Sequence, residues 1–463
     1  MPDLNDTRPF VSNALVKGHF IAGFFWFLVA ISAGMLFSFQ FHQIYPLSGI
    51  EMFSPGRVRM LHTNLVAYGF IANCFLAALY WAVPRLTGQR VTDSKYLGGA
   101  ILYVWNLLIL ATVVLIDLGY AQAVEWGETP VPLDPFILLA LVLVVIQFIV
   151  PLFRCKDKSQ YVSMWYFMGA MVWTGLVYFM GNFFPQYWVP GTGGAALIGL
   201  YIHDLVGLFV TPLGWGLMYY FVPILIRKPV WSHGLSLVGF WGLAFFYPLN
   251  GVHHFLYSPI PMYAQYGAVA STIAVEIVVT TVIVNFFATL RGRGDHLRHN
   301  LPVRWFYVGM VLYFITCLQC AFQVTLTFQK IIHFTDWVVG HSHLVMFGVF
   351  GSWIFGMIQY LWPKVTGNEW YSRRESEWTF WMMSIGVVIM FLSLLAGGLV
   401  QGFLWRDLAP FETSITASIP FWFARVFAGI MIVTGAIILA HNMWRTARGD
   451  RAVQTSPQLA GAA

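Results

Sequence analysis

The stretch PFILLALVLVVIQFIVPLF, residues 135–153, holds no charged side chain and a single amide, Gln147. At a helical rise of ~1.5 Å per residue it just spans the ~30 Å hydrocarbon core of a bilayer. Comparable runs fill the chain on both sides. Before it, helices are expected near 19–42, 59–84 and 95–118, and after it near 160–184 and 197–226. Six more follow near 232–257, 261–291, 303–328, 337–362, 376–403 and 418–445. The 463 residues are 59% apolar and 10% charged, far from the soluble average of roughly half apolar and a quarter charged. The expectation is an all-α, polytopic integral membrane protein of about twelve transmembrane helices. It forms one membrane domain over 1–463, with helices at about 19–445 and a short tail at 446–463. The N-terminal MPDLNDTRPF is polar, and the first apolar run lacks a small-residue cleavage site, so no removable signal peptide is expected.

The formal charge of +6 has a topological reading. Five basic residues, Arg57, Arg59, Lys330, Arg406 and Arg425, fall on one side of the expected membrane. The other 20 of 25 fall at the termini and after even-numbered helices, as with Arg154, Lys156 and Lys158 or Arg291, Arg293, Arg298 and Arg304. By the positive-inside rule both termini face the cytoplasm, and the partner implied is a lipid bilayer, not a nucleic acid. Cys74, Cys155, Cys317 and Cys320 are scattered. Cys317-x-x-Cys320 lies within an apolar helix and reads as a pair of small packing residues. No internal repeat is expected.

Ionisable groups in hydrocarbon are costly and mark function. Of 13 histidines, His19, His42, His233, His296, His299, His333 and His441 sit at ends or in loops and read as solvated or interfacial. Six sit in helices: His62, His203, His253, His254, His341 and His343. The expected topology puts all six in one layer near the outer face, drawn from four helices. Helical residues two apart diverge by about 200°, so His341 and His343 suit two cofactors flanking one helix. His253 and His254 diverge by about 100°; they share an ion only if the helix end is distorted or a third ligand lies between them. His203 is a candidate for that ligand. Three imidazoles with an open position suit copper or another borderline divalent metal. Haem iron takes axial imidazoles, which leaves His62 as a partner for His343.

These residues resemble the ligand signature of subunit I of the haem-copper oxidases, and most closely the C-type, cbb3-type cytochrome c oxidases. The segments that carry the resemblance are GRVRMLHTN (56–64), GLMYYFVP (216–223), YPLNGVHHF (247–255) and HFTDWVVGHSH (333–343). The resemblance implies that His62 and His343 are axial ligands of a low-spin haem b. His341 becomes the proximal ligand of a high-spin b-type haem, and His203, His253 and His254 hold copper B. It makes Tyr247 the catalytic tyrosine joined covalently to the copper-ligand histidine. Tyr219, Ser236 and Tyr247 become a proton path from the cytoplasm. Glu125 becomes a ligand of a calcium ion bridging haem propionates, with Arg57 and Arg59 pairing those propionates, and His333 and Asp336 standing near them. The activity implied is a respiratory chain's reduction of O2 to water, with proton uptake, in a bacterial cytoplasmic membrane. Because the chain has no CxxCH haem-attachment motif, membrane-anchored c-type cytochrome subunits would deliver the electrons.

Three residues depart from that pattern. Gln319 stands where a glutamate is usual, Asp204 where asparagine is usual, and Glu276 is an unexpected carboxylate in mid-helix. Nitric oxide reductases, which hold non-haem iron in place of copper, carry a functional glutamate on that helix and are the alternative. They also place glutamates after the histidine of the sixth helix, where this chain reads DLVGLFVTPLGWG (204–216). A transporter with a histidine proton relay is the non-redox alternative.

Overall fold

In a computed structural model the protein is described over residues 11–91, 96–155 and 160–450. Lys156, Lys158 and the expected tail beyond Asp450 lie outside the described residues. Twelve helices are long and apolar enough to cross a membrane. They are α1 (Asn13–Gln40), α2 (Pro55–Thr87), α3 (Leu97–Asp117), α4 (Val131–Arg154), α5 (Val162–Tyr187) and α6 (Gly191–Ile226). They continue as α7 (His233–Phe255), α8 (Met262–Leu290), α9 (Leu301–Gln323), α10 (Asp336–Thr366), α11 (Arg373–Arg406) and α12 (Phe411–Ala447). The described residues include no strand. A bilayer core offers backbone groups no water, so each span must satisfy them within its own helix.

The spans differ in what surrounds them. In α2, α6 and α10, 89%, 67% and 83% of the most apolar window is buried inside the protein, against 33% for α1 and 28% for α3. The first three are therefore the interior helices, and the histidines His62, His203, His341 and His343 belong to them.

The interior helices share a repeated build, contrary to expectation. His62, His203 and His343 are each followed within three residues by a π-helical segment: Leu65–Ile71, Leu205–Val210 and Leu344–Gly351. A π-turn widens the helix locally and is frequent at functional positions. Each of these helices then carries a proline near its far end, in Tyr80–Pro84, Tyr220–Pro223 and Tyr360–Pro363. The peripheral hairpins repeat as well. Asn285 of α8 accepts from Ser232 N at 3.0 Å and donates to Ser232 O at 2.8 Å; Asn442 of α12 treats Ser372 the same way, at 3.1 and 2.8 Å. Thr289 and Thr446 accept from Trp231 N and Tyr371 N, both at 3.0 Å. The repeat escapes a reading of the sequence because so few residues carry it, separated by long apolar stretches in which most substitutions are interchangeable.

His19 departs from expectation too. It is fully buried, stacked on Tyr80 at 5.4 Å, with Nδ1 bonded to Asn73 Oδ1 at 2.9 Å. Its place is a polar cluster inside the bundle and not an interface.

Candidate functional site: a layer of six histidines

The helix α7 does not stay α-helical to its end. Regular structure stops at Phe246, and two tight 3-10 segments follow, Tyr247–Leu249 and Gly251–Phe255. Gly251 permits the bend: a Cβ there would lie 2.3 Å from Leu200 Cα and 2.4 Å from Gly199 O, so α6 and α7 cross backbone to backbone. The distortion swings His253 and His254 to the same side, with ring centroids 4.7 Å apart.

His203 closes a triad with them. One ligand nitrogen from each of His203, His253 and His254 lies within 4.8 Å of the others. His203 Nδ1 is 3.2 Å from His254 Nε2. Two nitrogens on one ion with bonds of ~2.0–2.1 Å at a tetrahedral angle stand ~3.3 Å apart. His253 Nδ1 is 2.8 Å from Thr272 Oγ1, whose own proton goes to Ala268 O at 2.7 Å. Nδ1 is therefore the donor, the tautomer is fixed, and Nε2 is left as the ligand atom. The donor set, three neutral imidazoles, fits a borderline divalent metal such as copper.

His62 and His343 face each other across α2 and α10, with centroids 6.1 Å apart and planes 22° from parallel. Two metal–nitrogen bonds of ~2.0–2.1 Å, with each ring centre ~1.1 Å beyond its nitrogen, predict ~6.2 Å for two imidazoles on one iron. His62 Nδ1 donates to Ala30 O and His343 Nδ1 to Val339 O, both at 2.8 Å, so each Nε2 points to the space between them. Gly34 makes room, since a Cβ there would sit 2.8 Å from the His62 ring. These rings fit a bis-histidine haem.

His341 turns the other way and lies close enough to His203, His253 and His254 to act on them electrostatically. Its Nδ1 donates to Gln319 Oε1 at 3.0 Å, which leaves Nε2 for an iron. Gln319 thus meets His341 directly. Cys320 Sγ is 3.7 Å from His341 Nε2, so this cysteine borders the site instead of merely filling a helix interface, whereas Cys317 is buried.

Tyr247 stands against His203, centroids 4.6 Å apart and planes 17° from parallel. Gly207 in the π-segment of α6 creates its berth: a Cβ would fall 1.6 Å from Tyr247 Cε1. Glu276 is half-buried, one turn along α8 from Thr272, and forms no hydrogen bond or ion pair among the described residues. It lies within electrostatic range of Tyr247, Cys317 and Cys320. Asp204 is buried, with Oδ1 unpartnered.

Tyr219 and Ser236 sit at the opposite end of the same helices, both buried. Asn285 Nδ2 donates to Tyr219 Oη at 3.4 Å, and Tyr166, stacked on Tyr219, donates to Ser236 O at 3.1 Å. No direct hydrogen bond joins this pair to Tyr247 among the described residues.

The remaining candidates separate. Arg59 donates to Glu128 at 3.0 Å, and Asn64 donates to the same carboxylate at 2.8 Å. Burial holds the Glu128 carboxyl above its ordinary range, with Asn64 and Arg59 opposing the shift. Glu125 is exposed and belongs to no group of metal-ligand geometry among the described residues. Arg57 donates to Asp117 O at 2.9 Å and to Glu51 at 3.4 Å. His333 bonds Gln329 at 3.0 Å, its pKa lowered by burial. Asp336 Oδ2 accepts from Gln401 at 2.8 Å and Trp422 at 2.7 Å. The sequence reading passed over one residue of this layer. Arg425 is 5% exposed in α12, within electrostatic range of His62 and His343. Its signal was available, as an arginine well inside an apolar run.

The same chain is recognisable by comparison. Residues 14–431 match the family described as cytochrome c and quinol oxidase polypeptide I. Cytochrome c oxidase subunit 1 of Rhodobacter capsulatus is 27% identical, covering 96% of this chain and 87% of its own. The cbb3-type cytochrome c oxidase subunit CcoN1 of Stutzerimonas stutzeri is 28% identical over 95% and 96%. A nitric oxide reductase chain of the same organism is more distant, at 22% over 97% and 98%. A solved heme-copper terminal oxidase dimer has the same fold, with a TM-score of 0.77 at 14% identity over 96% of this chain and 86% of that one. With the family match spanning all but the two ends of the bundle, this multi-pass membrane chain belongs to the subunit I family of the haem-copper oxidases, whose cofactors are haems and copper.

Proposed function

We propose that the chain is the catalytic subunit of a C-type cytochrome c oxidase that reduces O2 to water. The observation that carries this is the pairing of a three-imidazole site with Tyr247 stacked on one of its ligands. When bound, the two b-type haems and copper B supply the electron transfer and the oxygen chemistry. The protein supplies position. His62 and His343 hold the low-spin haem, their Nδ1 protons fixed by Ala30 and Val339 carbonyls. His341, oriented by Gln319, holds the high-spin haem, and His203, His253 and His254 hold copper. Tyr247 is joined to His203 and gives its phenolic proton at the copper site. Tyr219 and Ser236 admit protons from the cytoplasmic end, and water carries them to Tyr247 across the stretch where no side chains bond directly. Membrane-anchored c-type cytochromes bring electrons to the opposite face. Both termini are cytoplasmic, in a bacterial inner membrane. In the outer layer Arg57 and Arg59 are held by Glu51 and Glu128, and Glu125, exposed and outside any group of metal-ligand geometry among the described residues, does not fit a calcium ion.

Mapping a cross-linked His203–Tyr247 peptide tests the reading. A linked pair in the purified protein supports the oxidase. An unlinked Tyr247 together with non-haem iron in place of copper would make the chain a nitric oxide reductase, with Glu276 as its unusual carboxylate.

A further inference from the structure

The three interior helices meet in pairs. Helix α10 faces α2 through His343 and His62, and turns His341 toward His203 of α6. Between α2 and α6 stand Tyr68 and Tyr201 instead, their hydroxyls 2.6 Å apart. Beside this pair lies a cavity of roughly 720 Å³, counting its open side, walled by α2, α3, α4, α5 and α6. No charged side chain and no histidine lines it among the described residues. Its hydrogen-bonding groups are committed: Tyr68 to Trp126 O at 2.6 Å, Tyr178 to Asp134 at 2.7 Å, Trp105 to Tyr68 O at 3.0 Å and Thr174 to Ala170 O at 2.7 Å. Such walls leave a polar ligand nothing to bond and suit hydrocarbon.

The shape is that of a chain. A second cavity continues toward the outer face and shares Tyr68, Trp105, Ile137 and Tyr178 with the first. Together they follow one stripe of α2: Leu61, Leu65, Tyr68, Ala72, Leu76 and Leu79. Steps of three and four keep these side chains on one helix face. At ~1.5 Å per residue the stretch 61–79 is ~27 Å long, most of the ~30 Å hydrocarbon core. On α4 and α5 the lining residues Leu141, Val145 and Thr174 are only half-buried, and Val142 and Val172 beside them are exposed. The lower cavity therefore opens between two membrane spans, toward acyl chains. At the outer end Arg57 stands one turn before Leu61 and donates to Asp117 O, next to Ile116 of the cavity wall. Its partner Glu51, at 3.4 Å, has a side chain 86% exposed. A pair of that kind is worth little, and a phosphate suits the same guanidinium fork.

We propose that this third interface is a lipid site: one acyl chain of an outer-leaflet phospholipid lies in the slot along α2, with its phosphate at Arg57. The chain slides in laterally between α4 and α5 and fills the space to the packing density of a protein interior. Its apolar burial ties α3, α4 and α5 to the two helices that carry His62 and His203.

The experiment uses the intact purified complex and a phosphatidylglycerol with a photoactivated diazirine at the end of one acyl chain. Labelled peptides are mapped by mass spectrometry, and the haem bands check assembly. Wild type is expected to take label within 72–79 of α2, a stretch buried throughout. A72L/A170L puts leucine at two buried alanines of the lower cavity's wall. The lost burial of two methylene groups already corresponds to about tenfold in binding, so label in 72–79 should fall at least that far. R57Q should lower it at least about threefold, the scale of an exposed ion pair. L107W, on the outward face of α3, should leave it unchanged. Label confined to outward-facing residues such as Val142 and Val172 overturns the proposal. So does label in 72–79 that A72L/A170L leaves within about twofold of wild type. Unchanged label in R57Q removes the phosphate contact, and the whole proposal with it if the double variant shows no haem bands.

Discussion

The berth of Tyr247 depends on one missing methyl group. In Gly207→Ala the new Cβ would sit 1.6 Å from Tyr247 Cε1, 1.9 Å from Cδ1 and 2.4 Å from Cζ. Carbon atoms settle at ~3.5–4.0 Å, so ring and helix must separate by about 2 Å. Gly207 has no left-handed backbone that would demand glycine, so crowding alone decides the outcome. Overpacking of this kind costs about 1–3 kcal/mol of stability, which a large membrane bundle tolerates. The chemistry is less tolerant: the ring must stay against His203, now 4.6 Å between centroids, for the two to be joined. A misplacement of even 1 Å costs roughly a hundredfold in rate. The mutant should therefore assemble with its haems, yield little or no His203–Tyr247 linked peptide by mass spectrometry, and lose at least about a hundredfold in O2 reduction. Gly175→Ala, where a Cβ meets nothing within 4 Å, serves as the control. A fully linked Gly207→Ala protein with near-normal turnover would refute the argument.

Three further outcomes follow from the same geometry. Gln319→Glu places a carboxylate on the His341 Nδ1 proton now held at 3.0 Å; the imidazole becomes more basic, so resonance Raman should show a stiffer iron–histidine stretch, and an unchanged frequency would disconnect Gln319 from the iron. Glu128 is held above its ordinary carboxyl value by burial. Between the two values the folded protein binds more protons than the unfolded one, so stability falls as pH rises through that window; Glu128→Gln should flatten the slope of thermal stability there, and an equal slope in both proteins would count against it. Asn442→Ala removes bonds to Ser372 N, Ser372 O and Ser376 Oγ. Each buried group left unpaired costs about 1–3 kcal/mol. Proteolysis or hydrogen exchange should then show the α11–α12 hairpin opening first, and unaltered protection would mean that the clamp contributes little.

Much of this architecture is legible in the residues, for identifiable reasons. Bilayer thickness imposes a length on every span, so apolar runs such as 135–153 mark helices almost to their ends: Val131–Arg154 is observed. The six histidines stand out because hydrocarbon tolerates so few ionisable groups. The ~100° divergence of adjacent His253 and His254 left two ways to share an ion, a distorted helix end or a third ligand between them, and the 3-10 segments after Phe246 are such a distortion.

What stayed hidden depends on contacts between distant segments. His19 looked interfacial because it lies near the start of an apolar run, but Asn73 and Tyr80 of α2 bury it. Arg425 entered only as an outer-side charge although the expected helix at 418–445 contains it; what buries it, the rings of Phe37 and Phe41, comes from the distant first helix. The π-segments after His62, His203 and His343 differ from α-helix by a fraction of a turn, too little for apolar sequences to betray. Gln319 appeared to be a lost acid, whereas its position against His341 gives it a task an amide performs. The two glycines that admit His62 and Tyr247, Gly34 and Gly207, show nothing unusual until their neighbours are in place.

That this layer of histidines carries two haems and a copper ion is tested most directly by haem and metal content per chain, taken with the reduced-minus-oxidised spectrum. Two b-type haems, one of them low-spin, and one copper ion are predicted for each chain. A preparation with non-haem iron and no copper, or with no b-type haem bands, would contradict that assignment.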